Sequence, residues 1–138
     1  MPHWRELITQ IDAGISGVAS VPVNLSTLEL SPSRRDNFLH ALNTGVDTID
    51  LELETGRYQL ELEDGGLVAK RLLLEHAGDD PRNPVPLQWF QESDGTKAAV
   101  RLLGLFAILS HPDSDWVVLI DEIDRSFHTE LSLSLIHI

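Results

Sequence analysis

The sequence predicts an α/β fold carrying a small antiparallel β-meander, and three features point to it. Trp116 to Ile120 is an unbroken apolar run of the kind buried on both faces inside a parallel sheet. A strongly apolar helix over Ala98 to Leu109 precedes it across the turn Ser110-His111-Pro112-Asp113, which makes a helix, turn and buried-strand unit. Upstream, Thr48 to Leu62 alternates apolar and polar residues with period two, as half-buried strands do.

Each element has its own signal. Trp4, Leu7, Ile8 and Ile11 recur at helical spacing, and Asp12-Ala13-Gly14 supplies a stop. Ile15 to Val23 is mixed and small with Pro22 interrupting, which supports a strand or an extended segment. The next helix runs from Pro32 to Leu42: Ser31 caps it, Pro32 suits the first turn, Phe38, Leu39 and Leu42 share a face, and Gly45 follows as a stop. In the meander, Ile49, Leu51 and Leu53 face inward against Asp50, Glu52 and Glu54. After Thr55-Gly56, Tyr58, Leu60 and Leu62 face inward against Gln59, Glu61 and Glu63, and Asp64-Gly65-Gly66 closes the run with a hairpin signal. Gly78 to Pro86, with three prolines, reads as a loop, and Leu87 to Phe90 as a short strand.

The 138 residues fit one domain or part of a larger one, and 42% hydrophobic residues are enough for a packed core. With 22 acidic and 10 basic side chains the formal net charge is -12. That excess of carboxylates argues against a broad phosphate-binding surface, because nucleic-acid affinity rests on Lys and Arg. Asp47, Asp50, Glu52, Glu54, Glu61, Glu63 and Asp64 supply seven of the 22 acids, so the meander presents a solvated acidic face. No apolar run approaches the roughly 20 residues of a membrane span, and the N-terminus lacks the layout of a signal peptide. The absence of Cys excludes disulfides and thiolate metal sites, and a cytoplasmic location is expected. No His-Glu-x-x-His is present among the six His, which argues against a zinc site.

Two segments carry chemistry. Val117-Val118-Leu119-Ile120-Asp121-Glu122 is a Walker B pattern: four apolar residues, then two carboxylates at the carboxyl end of a strand, where open α/β sheets bind their ligands. There Asp121 would organise Mg²⁺ and Glu122 would act as the base on the attacking water. The alternative is a strand that leaves the core through two solvated acids. Ser93-Asp94-Gly95-Thr96 opens the apolar helix, where free backbone N–H groups and the positive end of the helix dipole attract phosphate. The alternative here is a plain Ser93 cap with Gly95 in the loop.

Together, Glu92 to Lys97, the helix, Val117 to Glu122 and Ile123-Asp124-Arg125-Ser126-Phe127-His128 resemble the C-terminal half of the ABC-class ATPases of the AAA family. Their ATPase heads are related to those of the OLD nucleases and the SMC and RecF proteins. The resemblance is sharpest over residues 91–131. It implies part of a P-loop NTPase head, with residues 1–90 as a linking part and insert, residues 91–132 as signature helix, Walker B strand and D-loop, and residues 133–138 as a separate tail. It also implies that Ser93, Asp94, Gly95 and Thr96 reach the γ-phosphate of ATP held by a second head, and that Ser126 and His128 lie in the D-loop at a homodimer interface. Phe127 and Thr129 depart from the family's usual Leu and Pro. The implied reaction is Mg²⁺-dependent ATP hydrolysis in the service of phage defence or DNA repair, with a DNA or nuclease effector.

No Gly-x-x-x-x-Gly-Lys-(Ser/Thr) phosphate loop is present, so the expectation is a fragment holding half of a composite site and inactive by itself. Leu133-Ser134-Leu135-Ile136-His137-Ile138 resembles the translation of a transposase sequencing adaptor and is set aside from the fold. A function of a different class is an autonomous acidic interaction module, with Ser93 as a helix cap and Asp121-Glu122 as a strand exit.

Overall fold

The computed structural model describes residues 4–10, 14–80, 82–109, 115 and 117–121. In chain order these form α1 (Trp4–Ile8), β1 (Ile15–Val23), a 3-10 turn (Leu25–Leu28), α2 (Pro32–Asn43), β2 (Ile49–Leu53), β3 (Gly56–Glu63), β4 (Gly66–His76), β5 (Val85–Leu87), a second 3-10 turn (Trp89–Gln91) and α3 (Asp94–Leu109). The strands make one sheet in the order β1-β4-β3-β2, with β5 pairing to β4. The pairs β2–β3, β3–β4 and β4–β5 are all antiparallel.

Local chemistry explains the two ends of α2 and the β3–β4 turn. Ser31 accepts a hydrogen bond from the Arg34 N–H at 3.3 Å, and Pro32 at the first helical position has no N–H to leave unpaired. At the other end of α2 the Thr44 and Val46 N–H groups return to the carbonyl of Ala41, with Gly45 between them at φ +112°. Asp64 and Gly65 both take positive φ, 52° and 78°, and join Glu63 to its partner Gly66 in a two-residue hairpin. Positive φ at both central residues is the type I′ turn, whose twist matches that of the flanking strands.

Two compact units divide the chain: Met1–Val18 with Leu74–Leu87 and Gln91–Ile138, and Ala19–Leu73 with Gln88–Phe90. In the second, Leu28, Leu30, Leu51, Tyr58, Leu60 and Ala69 form a buried cluster, flanked by Val23, Leu25, Phe38, Ile49, Leu53 and Leu67. Leu60 is fully buried, a burial that stabilises by about 2–3 kcal/mol. Tyr58 keeps its hydroxyl satisfied inside that cluster by donating to Thr55 Oγ1 at 3.0 Å and accepting from Arg71 Nη2 at 3.3 Å. In the first unit α1 packs on α3, with Ile8, Ala99, Val100 and Leu103 buried.

The α/β, P-loop-type architecture expected above is corrected by this topology: the described strands form a small antiparallel sheet with helices, not a parallel sheet. Residues 117–121 belong to no strand, and Val117 and Leu119 are 84% and 93% exposed where burial on both faces was expected. An apolar run shows what a segment can bury but not whether the chain supplies the neighbours. The remaining differences are local. The longest strand, β4, was not among the expected elements, and α3 begins four residues before Ala98, at Asp94. The short strand expected at Leu87 to Phe90 is β5 at Val85–Leu87, followed by the 3-10 turn. Gln59, expected to face solvent, is buried.

Candidate functional site

The start of α3 carries four of the sequence-predicted site residues, the consecutive Ser93, Asp94, Gly95 and Thr96. Ser93 and Asp94 are exposed, Gly95 is half-buried and Thr96 is buried. Ser93 Oγ accepts the Thr96 N–H at 3.1 Å and shares a hydrogen bond with the Thr96 hydroxyl at 2.9 Å, while the Ser93 carbonyl accepts the Lys97 N–H at 3.0 Å. This is an N-cap, which satisfies one of the orphan donors of the helix start and sets the direction of the rest. The helix behind it holds its place through an apolar face on which Ala99, Val100, Leu102 and Leu103 are buried. Sixteen residues of aligned peptide dipoles therefore end at Ser93–Gly95 with their positive pole toward solvent.

Directly before the cap lies a charge the sequence did not single out by itself. The Glu92 side chain is 2% exposed, and its two oxygens stand 2.9 and 3.1 Å from Nε2 of His76, the last residue of β4. An ionised carboxylate only accepts, so Nε2 is the donor of this bond in the tautomer that carries its proton there. β4 is held there by two neighbours: β5 pairs Leu74, Glu75 and His76 with Leu87, Pro86 and Val85, and the Ala77 N–H donates to the Gly14 carbonyl at 3.2 Å. His76 and Glu92 are sixteen positions apart across a loop, and no local sequence pattern announces such a pair.

In the other unit, the buried Arg57 lies 3.6 Å from Glu52 Oε2 with its guanidinium 5.4 Å from the centre of the Trp89 ring, and the Trp89 indole N–H donates to Glu52 Oε1 at 3.2 Å. A planar cation over an indole face gains from the ring quadrupole as well as from its carboxylate. This cluster fixes the 3-10 turn just upstream in sequence of Glu92 and is structural. The acidic face of the meander is largely solvated, as its alternation predicted, with Asp50, Glu52, Glu54, Glu63 and Asp64 exposed.

Asp121 is exposed and outside any strand, and Glu122, Ser126 and His128 lie outside the described residues. Among the described residues, no three or more His, Asp or Glu side chains stand together in a way that could hold a metal ion. Mg²⁺ bound with a nucleotide needs less than that, one or two carboxylates completed by phosphate oxygens and water, and Asp121 has the donor chemistry for it. No helix among the described residues is long and apolar enough to cross a membrane.

No protein-family model, no curated protein and no solved structure matches the chain.

Proposed function

We propose that this chain serves ATP binding and hydrolysis as part of an ABC-class ATPase of the AAA family, in the cytoplasm, and that it completes an ATP site rather than forming one alone. The observation that carries the reading is the first turn of α3: Ser-Asp-Gly-Thr stands at the solvent-facing positive end of a 16-residue helix, with Ser93 and Asp94 exposed. A backbone N–H array at such an end suits a phosphate, and a hydroxyl beside it adds a donor. Val117 to Ile120 is compatible with the same reading, because a strongly apolar run left 84% and 93% exposed at Val117 and Leu119 has burial to gain from a partner surface.

In this reading water attacks the γ-phosphate in line, Glu122 orients and deprotonates it, and Asp121 holds Mg²⁺ through its water shell. Ser93 to Gly95 reach the γ-phosphate bound by a second head, with Thr96 closing the cap behind them, and Ser126 and His128 line the contact between the heads. The phosphate loop comes from sequence outside these 138 residues, and the cycle serves phage defence or DNA repair through a DNA or nuclease effector.

The test has two steps. Sequencing the source DNA well beyond each end of this frame, without transposase adaptors, should reveal a Gly-x-x-x-x-Gly-Lys-(Ser/Thr) loop. In the protein so completed, Glu122→Gln should bind ATP as the parent does and lose about 10²- to 10⁴-fold in turnover. Turnover at the parental rate sinks the assignment of the base. A completed protein with no phosphate loop and no ATP binding sinks the whole reading and leaves the acidic interaction module, which the self-contained core of the meander favours.

A further inference from the structure

We propose that His76 is a positioning residue for the phosphate-facing turn Ser93–Gly95, acting through the buried carboxylate of Glu92. The inference rests on the ATP reading above for what the turn does, and on geometry for how the turn is held.

A carboxylate taken out of water costs several kcal/mol unless a partner and hydrogen bonds replace its hydration. Glu92, with its side chain 2% exposed, meets that condition through His76, whose Nε2 lies within 3.1 Å of both its oxygens. Glu92 immediately precedes Ser93, so fixing it fixes the angle at which the chain enters α3, as an apolar staple does at other helix starts. The next two links are on the same backbone: the Thr96 N–H to Ser93 Oγ and the Lys97 N–H to the Ser93 carbonyl. His76 in turn sits on a strand anchored by β5, so its imidazole is a fixed point that does not depend on the path of the intervening loop. The neighbouring carboxylate, Glu75, is directed elsewhere: a Cβ placed on Gly17 would come within 2.6 Å of its Oε2. The signature-type turn is thus tied through an imidazole, as well as through the chain that follows β5, to the β4–β5 hairpin, and a shift of that hairpin would move the groups offered to phosphate.

Two variants of the full chain test this. His76→Ala removes the donor, and His76→Gln puts an amide N–H near the place of Nε2. In the 138-residue chain, hydrogen exchange followed by NMR should show the Thr96 and Lys97 amides exchanging about tenfold faster in His76→Ala, with His76→Gln close to the parent. Unchanged exchange at both amides in a folded His76→Ala overturns the proposal. Should His76→Ala lose protection at Tyr58 and Leu60 as well, it has unfolded and His76→Gln decides: near-parental exchange at Thr96 and Lys97 supports the proposal, and a gain confined to those two amides overturns the donor role.

In the completed ATPase, His76→Ala should lower kcat about tenfold with little change in KM for ATP, because the turn acts on ATP already held by the other head, and His76→Gln should recover it. Parental kcat, or an effect on KM alone, overturns the proposal. Absence of turnover in the parent sinks the ATP reading instead, and the exchange result then decides by itself whether His76 sets the start of α3.

Discussion

The meander alternates apolar with polar residues and Val117 to Ile120 is wholly apolar, yet it is the meander that is buried. In the meander, every inward residue of β2 and the inner residues Tyr58 and Leu60 of β3 meet one cluster, and Leu60 is fully buried. In the segment, Val117 and Leu119 are almost fully exposed and Ile120 is 44% exposed. The difference lies in where the neighbours come from. β2, β3 and β4 are joined by two-residue turns, so each strand brings its partner within a few residues. A strand of a parallel sheet needs partners delivered by long crossovers, and none of the described strands pairs with residues 117–121. The meander supplies its own neighbours, whereas Val117 to Ile120 hold a demand for burial that the described residues leave unmet.

The substitution with the largest expected effect attacks the closed side of that comparison. Leu60→Ala removes a fully buried side chain from the centre of the cluster and should cost about 2–5 kcal/mol, read as a drop in the urea midpoint with little change in slope. A loss under about 1 kcal/mol would mean that the cluster collapses around the gap or is not the core, and the contrast with the exposed segment would fail.

The same contrast explains what was legible in the sequence. The meander could be placed from alternation and from Asp64-Gly65, because period two and a φ-positive pair are local signals. β4 could not, since Val68 to Leu74 is covered to some degree on both faces and Lys70-Arg71 interrupts its apolar residues, so no alternation remains to be read. Gln59 and Arg57 are buried polar residues, and their burial depends on neighbours that no pattern in β3 itself specifies. At the candidate site, Ser93 and its cap were legible because capping is local. The His76–Glu92 pair was not, because a sheet and the loop of residues 77–84 bring it together. Of the strand expected at Trp116 to Ile120, Trp116 lies outside the described residues and Val117 to Ile120 form no strand, for the complementary reason: an apolar run specifies surface to bury and not the neighbours that bury it.

A smaller effect is expected on the outer face of the meander, at Lys70. Its ammonium pairs with Glu61 and lies 3.0 Å from Glu63, and these bonds hold the Glu63 carboxyl below the usual carboxylate range and the Lys70 ammonium above its own. A lowered acid contributes stability that is present above about pH 4.3 and lost as pH falls through its folded value. A raised base contributes stability that is present below about pH 10.4 and lost as pH rises through its folded value. The gap in melting temperature between the parent and Lys70→Met should therefore be small, flat from about pH 5 to 10, narrower at pH 3 and narrower again in 1 M salt. A gap of the same size at pH 3 would show that Lys70 acts through the packing of its stem and not through its charge.

The smallest effect is the one that most sharpens the comparison. Leu119→Ser exchanges a large apolar side chain for a small polar one at a position 93% exposed, and in the 138-residue chain it should change the unfolding free energy by less than about 0.5 kcal/mol. Set beside Leu60→Ala, it pits two Leu truncations in one chain against each other, so that differences in method and in the unfolded state largely cancel. If Leu119→Ser proved as costly as Leu60→Ala, residues 117–120 would be buried within this chain, and the unmet demand for burial would vanish. In the completed ATPase the order should change: a Leu119 buried against a partner surface would make the same substitution cost about 2–5 kcal/mol. A substitution silent in the one protein and damaging in the other would locate the missing neighbours of Val117 to Ile120 outside these 138 residues.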